Sequence, residues 1–378
     1  MPGKWDWLKD EIGFSNLLTG GRMIFKVIQG KLSADDLTKC ALCPNMCRHA
    51  CPVSIVEGRE TTSPAGKARI ALMIREGRLE LNLDNLEPLY TCLGCDLCTL
   101  YCPFEFSVAD LIRPVKEEAV SRGVVFEEFR KVFENLETSG DVYGNADLGA
   151  DGSGKVLYFR GCTVRNERPE LAEKTLTLLD KLGYEAFTIS ETCCGLPAYN
   201  LGNTELFRKV AERTAEKLNA TGAELIVTSC PSCAYTFRVL YPKYGIKLKP
   251  RVLHITELLG EVIGGLELKG AGTVTYHNPC KLALHLGRRG LLKSLLENVE
   301  GLEVREPRRE LFCCGHGGSA VSRLKPELVE EIAAERREQL RDGAARVVTA
   351  CPSCELALNG DGLEVLDIVE FLLERMEE

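Results

Sequence analysis

Residues 224–233 read ELIVTSCPSC, and residues 346–354 read RVVTACPSC. Each is a short run of β-branched and apolar residues that closes on Cys-Pro-Ser-Cys. Such a run reads as a buried strand, so each motif puts a pair of cysteines at a strand's carboxyl end. Upstream of each pair stand the same companions. Gly161-Cys162 and Cys193-Cys194-Gly195 precede Cys230 and Cys233; Cys280 and Cys313-Cys314-Gly315 precede Cys351 and Cys354. Corresponding cysteines lie 118, 120, 120, 121 and 121 residues apart. That register says that one sulfur-rich site was built twice, each time from three separated stretches of chain.

Around these motifs strands alternate with helices. The first copy predicts a strand at 155–160, a helix at 170–182, a short strand at 185–189, a helix at 203–219 and the strand at 224–229. The second predicts a strand at 273–277, a helix at 282–298, a short strand at 302–305, a helix at 326–341 and the strand at 346–350. This alternation implies parallel sheets with short loops. In such sheets ligands gather beyond the carboxyl ends of the strands, where the cysteines sit. Residues 137–154 (ETSGDVYGNADLGADGSG) are rich in Gly, Asp and Ser and read as a linker.

Ahead of the linker the other eight cysteines form two compact runs. Cys92-x2-Cys95-x2-Cys98-x3-Cys102-Pro103 has the bacterial ferredoxin spacing for a 4Fe-4S cluster; a structural zinc site is the poorer alternative. Cys40-x2-Cys43-x3-Cys47-x3-Cys51-Pro52 carries one extra residue, with Pro44 in the enlarged gap, and a three-iron or degenerate site is its alternative. In two-cluster ferredoxins the fourth cysteine of a run reaches the other cluster. One cubane cluster is then expected on Cys40, Cys43, Cys47 and Cys102, the other on Cys92, Cys95, Cys98 and Cys51. Helices are expected at 17–32, at 63–77 with Ser63 as N-cap and Pro64 in the first turn, and at 108–122. The expected organisation is α+β and multidomain: an all-α, two-cluster ferredoxin-like module at 1–136, the linker at 137–154, an α/β domain at 155–268 and its repeat at 269–378.

Composition removes other classes. With 378 residues, 18 cysteines and a formal net charge of −8, the chain lacks the basic stripe that nucleic-acid binding needs. No apolar run is long enough to span a bilayer, and the N-terminus lacks the apolar centre of a signal peptide. A cytoplasmic location is expected, where thiols stay reduced and this cysteine content means metal ligation rather than disulfides. Trp5, Trp7, Leu8, Ile12, Phe14, Leu17 and Leu18 form an apolar segment that either packs on its own domain or docks on a partner or membrane surface. No Gly-x-Gly-x-x-Gly follows a strand, and Gly264-Gly265 and Gly315–Gly318 are no nucleotide fingerprint. Electrons must therefore come from another protein.

The five-cysteine segments resemble the cysteine-rich CCG domain of heterodisulfide reductase catalytic subunits. A ferredoxin-like module followed by two such domains is similar to the D-type subunit of heterodisulfide reductase, and to the iron–sulfur subunits of glycolate oxidase and anaerobic glycerol-3-phosphate dehydrogenase. The resemblance implies two non-cubane 4Fe-4S clusters, one on Cys162, Cys193, Cys194, Cys230 and Cys233, the other on Cys280, Cys313, Cys314, Cys351 and Cys354. An ordinary cubane, or zinc on three or four of these thiolates, is the alternative. It further implies an oxidoreductase in which a small disulfide is split or formed between the two sites, one electron at each. The implied partners are a small disulfide or thiol and a flavoprotein, cytochrome b or ferredoxin-type carrier, with peripheral membrane association through that partner. His277, His285, His316 and Lys281 are candidate sources of protons or positive charge, or else groups that hydrogen-bond around the sites. The rival reading is an electron-transfer subunit serving a flavin-dependent hydroxy-acid or glycerol-3-phosphate dehydrogenase, with no substrate of its own. A purely structural metal scaffold ranks last.

Overall fold

The structure, a computed structural model, describes residues 35–149, 151–316 and 320–376. The helix expected at 17–32, the apolar segment from Trp5 to Leu18, and Gly317 and Gly318 lie outside these residues.

In the helical module, helix Pro64–Arg75 begins as its sequence requires: the Ser63 side chain caps it by accepting from the Gly66 N–H, and Pro64 fills the first turn. Helices Asp36–Leu42 and Val108–Ser121 pack on it. Ala41, Ala68 and Ala71, all fully buried, let them approach closely. Each cysteine run then turns through a left-handed residue, Asn45 (φ 67°) or Asp96 (φ 57°), into a 3-10 turn, Met46–Ala50 or Leu97–Tyr101. Asn and Asp tolerate that conformation. The extra residue of the first run precedes its left-handed turn. Asn45 anchors the enlarged loop, donating to Ser63 Oγ at 2.8 Å and accepting from the Ala65 N–H at 3.3 Å.

The duplicated half holds two four-stranded, all-parallel sheets with the same topology, β2-β1-β3-β4 and β6-β5-β7-β8. The strands are β1 Val156–Phe159, β2 Ala186–Phe187, β3 Leu225–Thr228, β4 Arg251–His254, β5 Thr273–His277, β6 Glu303–Arg305, β7 Arg346–Thr349 and β8 Glu364–Asp367. β1 and β5 take equivalent registers, Phe159 facing Thr228 and His277 facing Thr349. One apolar core joins the helical module to the first sheet, and a second runs between the two repeats through Tyr158, Val227, Leu295 and Phe371. No helix among the described residues is long and apolar enough to cross a membrane.

Three expectations change. β4 and β8 escape the sequence pattern because each is four residues long and runs straight into a helix, Ile255–Val262 or Ile368–Met376, with no turn signal between. The helix expected at 282–298 is broken: a π-helical turn at Lys281–His285 ends near Gly287 (φ 68°), and the helix resumes only at Leu291–Glu297. The Gly-Arg-Arg-Gly run at 287–290 is the cause, since it supplies a left-handed exit and no apolar face. The stretch 137–154 begins inside helix Glu127–Thr138 and then lies along the first sheet domain. Asp141 is fully buried, and the Cys193 N–H donates to the Gly140 carbonyl at 2.7 Å.

Replacing Ser63 by Ala removes both the N-cap and the hydroxyl that accepts from Asn45. Chemical unfolding of the iron-free chain should show a loss of about 1–2 kcal/mol; no loss would mean that the cap carries nothing.

Candidate metal centre

In the first repeat three loops at the carboxyl end of the sheet converge. Cys162 follows β1 in helix Gly161–Glu167, Cys193 and Cys194 precede helix Leu196–Asn200, and after β3 Cys230 is the N-cap of helix Pro231–Tyr235, which contains Cys233. All five line one cleft of about 450 Å³, together with Tyr143 and with His316, Arg323 and Ser353 from beyond the first repeat. Gly161 is left-handed (φ 76°), and a Cβ there would lie 3.1 Å from the Cys233 sulfur. A side chain at that position would crowd the sulfurs.

Backbone and polar groups fix these loops. The Gly195 N–H donates to the Cys193 sulfur at 3.4 Å, Thr214 Oγ1 to the Cys193 carbonyl at 2.8 Å, and the Tyr241 hydroxyl to the Cys194 carbonyl at 3.1 Å. Glu191 is buried and accepts from the Arg160 and Gly161 N–H groups, both at 2.8 Å. Burial pushes its carboxyl pKa up, against the downward pull of Arg160 and Arg165. Asp141 and Asp147 complete a buried network with those two guanidiniums.

The second repeat gathers its sulfurs in the same way. Cys314 and Cys354 are 3.3 Å apart, and Cys313 lies within hydrogen-bond reach of Cys280, Cys314 and Cys95. Cys95 belongs to the helical module, so the second site abuts the ferredoxin-like runs; Cys51, Leu93 and Cys95 share an apolar cluster with Phe312 and Cys313. Cys230 also acts electrostatically on Cys351, so the two Cys-Pro-Ser-Cys motifs stand close to one another. Arg168 braces the repeats by pairing with Glu355, next to Cys354, and with Glu370.

The eight remaining cysteines form two groups. Cys40, Cys43, Cys47 and Cys102 line one small pocket, which Cys98 also lines; Cys51, Cys92, Cys95 and Cys98 line another. Cys40 is pushed up to about 12 by burial, reinforced by Cys47, Cys102 and Cys43. Cys98 is pushed up by burial, with Cys95, Cys92 and Cys51 adding to it. Each run therefore lends its last cysteine to the other group. Two buried lysines, Lys67 and Lys116, stand by Cys92 and oppose the upward push of its burial. Burial itself lowers Lys116 to about 8.

Of the polar candidates, His277 lies with Cys314 and Cys354, their ligating atoms within 4.8 Å of one another. Lys281 and His285 face the helical module instead, Lys281 donating to the Gly94 carbonyl and His285 lying 3.6 Å from Asp96. His316 lines the first cleft. Sequence reading missed Glu191, Arg160, Arg165, Lys67, Lys116 and Arg336. Adjacency was the available signal for two of them: Arg160 precedes Gly161-Cys162, and Glu191 stands two residues before Cys193.

Residues 156–238 and 274–359 match the cysteine-rich CCG domain, and residues 36–106 match the 4Fe-4S dicluster domain. The chain is 30% identical over 347 residues to the B-type subunit of fumarate reductase (CoM/CoB) from Methanothermobacter marburgensis, covering 86% of this chain and 70% of that protein. The chain belongs to the family of iron–sulfur proteins that join a 4Fe-4S dicluster domain to two cysteine-rich CCG domains. The D-type subunit of the dihydromethanophenazine:CoB–CoM heterodisulfide reductase of Methanosarcina barkeri is 24% identical over 320 residues, covering 77% of this chain and 78% of that one. Lactate utilization protein A of Bacillus cytotoxicus is 30% identical over 221 residues, 54% of this chain and 90% of that protein. A crystal structure of a hypothetical protein from Helicobacter pylori shares the fold, with a TM-score of 0.61 at 11% identity over 96% of this chain and 76% of that one.

As a heterodisulfide reductase-like protein, this chain is an iron–sulfur electron-transfer protein, and its sulfurs fit such groups: buried or half-buried, gathered and free of disulfides. Two results should follow. Glu191→Ala leaves Arg160 and Arg165 short of a buried partner, costing about 3–5 kcal/mol, and iron assay should show the first repeat losing its metal while the ferredoxin-like runs keep theirs. Because burial holds Cys40 near 12 and Cys47 near 11, both thiols are protonated in the iron-free chain at neutral pH. Metal binding must expel those protons, so reconstitution followed by absorbance should strengthen from pH 6 to 9, by up to about tenfold per pH unit for each proton released.

Proposed function

We propose that the chain is an iron–sulfur oxidoreductase subunit that relays electrons between a redox partner and a small disulfide. Two cubane 4Fe-4S clusters would sit on Cys40, Cys43, Cys47 and Cys102 and on Cys92, Cys95, Cys98 and Cys51. Two non-cubane 4Fe-4S clusters would sit on the five-cysteine sets of the two repeats. Bound groups of this kind supply one-electron chemistry; the chain aligns them and shapes the substrate space.

The observation that carries this reading is that neither quintet lacks a sulfur, while the first opens into a cleft faced by Ser353, beside Cys354 of the second. A disulfide entering there meets both repeats. Its reduction takes two electrons and two protons and yields two thiols; the reverse reaction forms the bond. Arg323, whose guanidinium donates to the Val142 carbonyl at 3.4 Å, lines this cleft and would orient an anionic substrate, and His316 beside it would serve the protons. The contact of Cys95 with Cys313 supports entry of electrons through the helical module, supplied in the cytoplasm by a flavoprotein, cytochrome b or ferredoxin-type carrier.

The match to lactate utilization protein A across 90% of that protein favours a second reading. In it the chain passes electrons from a flavin-dependent hydroxy-acid dehydrogenase and holds no substrate of its own.

Anaerobic purification with iron quantification and electron paramagnetic resonance decides between them. About sixteen irons per chain, four for each cluster, with a new signal when thiol is added on half-oxidation, is the expected result. About eight irons and no thiol response would refute the five-ligand assignment and leave the second reading.

A further inference from the structure

The two repeats differ at two pairs of corresponding positions close to the sulfur-bearing loops. Phe159 stands three residues before Cys162, and His277 stands three before Cys280. Glycine contacts align the neighbouring helices. A Cβ on Gly195 would meet the Phe207 carbonyl, and one on Gly315 the Val329 carbonyl. Seven residues beyond each lie Thr214 and Arg336. The first repeat therefore has Phe159 and Thr214 where the second has His277 and Arg336.

Arg336 is fully buried. Its Nε donates to His277 Nδ1 at 3.1 Å, and its other donors go to the Arg309 carbonyl, the Gln339 side-chain oxygen at 3.2 Å and the Glu310 carbonyl at 3.3 Å. None of these partners is a carboxylate. The negative groups that act on it are the sulfurs of Cys314, Cys354 and Cys313. Around the first site, by contrast, the two guanidiniums of Arg160 and Arg165 face three carboxylates, Glu191, Asp141 and Asp147. Lys281, near Cys280, is opposed by Asp96. The second site thus carries a buried cation with no carboxylate partner, whereas the cations beside the first are paired with carboxylates.

The same contact fixes the tautomer of His277. A guanidinium has donors only, so Nδ1 must accept, and the proton of the neutral ring sits on Nε2. A metal-bound Nε2 would need that proton on Nδ1, facing the Arg336 donor. Nε2 is buried, with no nitrogen or oxygen partner, and the imidazole lies within hydrogen-bonding reach of the Cys314 sulfur and beside Cys354.

We propose that His277, set by Arg336, donates a hydrogen bond from Nε2 to the thiolates of the second five-cysteine site and is not a metal ligand. The two sites are therefore unequal, and the second is the easier to reduce. Hydrogen bonds to sulfur and nearby positive charge both favour the extra electron. His277 is a positioning and tuning residue, and the inference rests on the proposed occupancy of both repeats.

The test is a potentiometric titration, followed by electron paramagnetic resonance, of the full iron-loaded chain and of the double variant His277→Phe with Arg336→Thr. That variant installs the first repeat's pair and strands no buried cation. It should keep its iron and lose at least tenfold in the reduction equilibrium of one five-cysteine site, about 59 mV for one electron, with the other transitions unmoved. Full iron with unmoved potentials overturns the inference alone; a wild-type chain with about eight irons overturns the cluster assignment beneath it. Wild-type protein labelled with 15N-histidine gives a readout that no variant can spoil. Pulsed resonance should show a weak histidine coupling at the second site. A coupling of coordinated strength, or none, refutes the donor role.

Discussion

Thiols crowded into a dry interior resist losing their protons, and the thiolates that form repel one another; the rest of this structure answers that constraint. Burial and neighbouring sulfurs make Cys40, Cys47, Cys98, Cys193, Cys233, Cys313 and Cys354 hard to ionise, while hydrogen bonds from adjacent sulfurs pull Cys194, Cys230, Cys280 and Cys314 the other way. Iron–sulfur groups would supply the main counter-charge, and cationic side chains already stand beside several of the sulfurs: Lys67 and Lys116 beside Cys92, Arg165 near Cys162, and Arg336 behind Cys314. Burial of such cations is expensive unless they are paired, so the folded chain is organised around groups that it must acquire.

The spacing of sulfurs was legible in the sequence because ligand geometry is local within each loop. Cys-Pro-Ser-Cys spans a single turn after a strand, and Cys-Cys-Gly sets two sulfurs side by side. The helix start at Ser63-Pro64 was legible for the same reason, since a cap is decided within four residues. Features decided by distant packing were hidden. Arg336 lies in a helix rich in Glu and Arg and reads as solvent-facing, yet tertiary packing buries it against His277. β4 and β8 are stabilised by pairing with β3 and β7 rather than by their own composition. The Asp- and Gly-rich stretch after residue 137 has the composition of a tether, but its carboxylates find arginines in the first repeat.

Duplication produced two copies of a scaffold, and divergence then acted where the sulfurs look inward. The sheets, registers and cysteine offsets remain matched, whereas the polar surroundings have changed character. The first site is ringed by a carboxylate–guanidinium network and opens to a cleft; the second backs onto the helical module through Cys95 and Cys313. The two repeats thus face differently, the second lying against the helical module and the first lining an open cleft.

The bond from the Cys193 amide to the Gly140 carbonyl has a bearing on how the molecule is taken apart. A fragment cut at the first strand would strip an internal seal from the sulfur-bearing loop and orphan the arginines that Asp141 and Asp147 hold. The sequence boundary between modules is thus not a mechanical seam. Dissection that respects the architecture has to carry the upstream strap along with the repeat it closes.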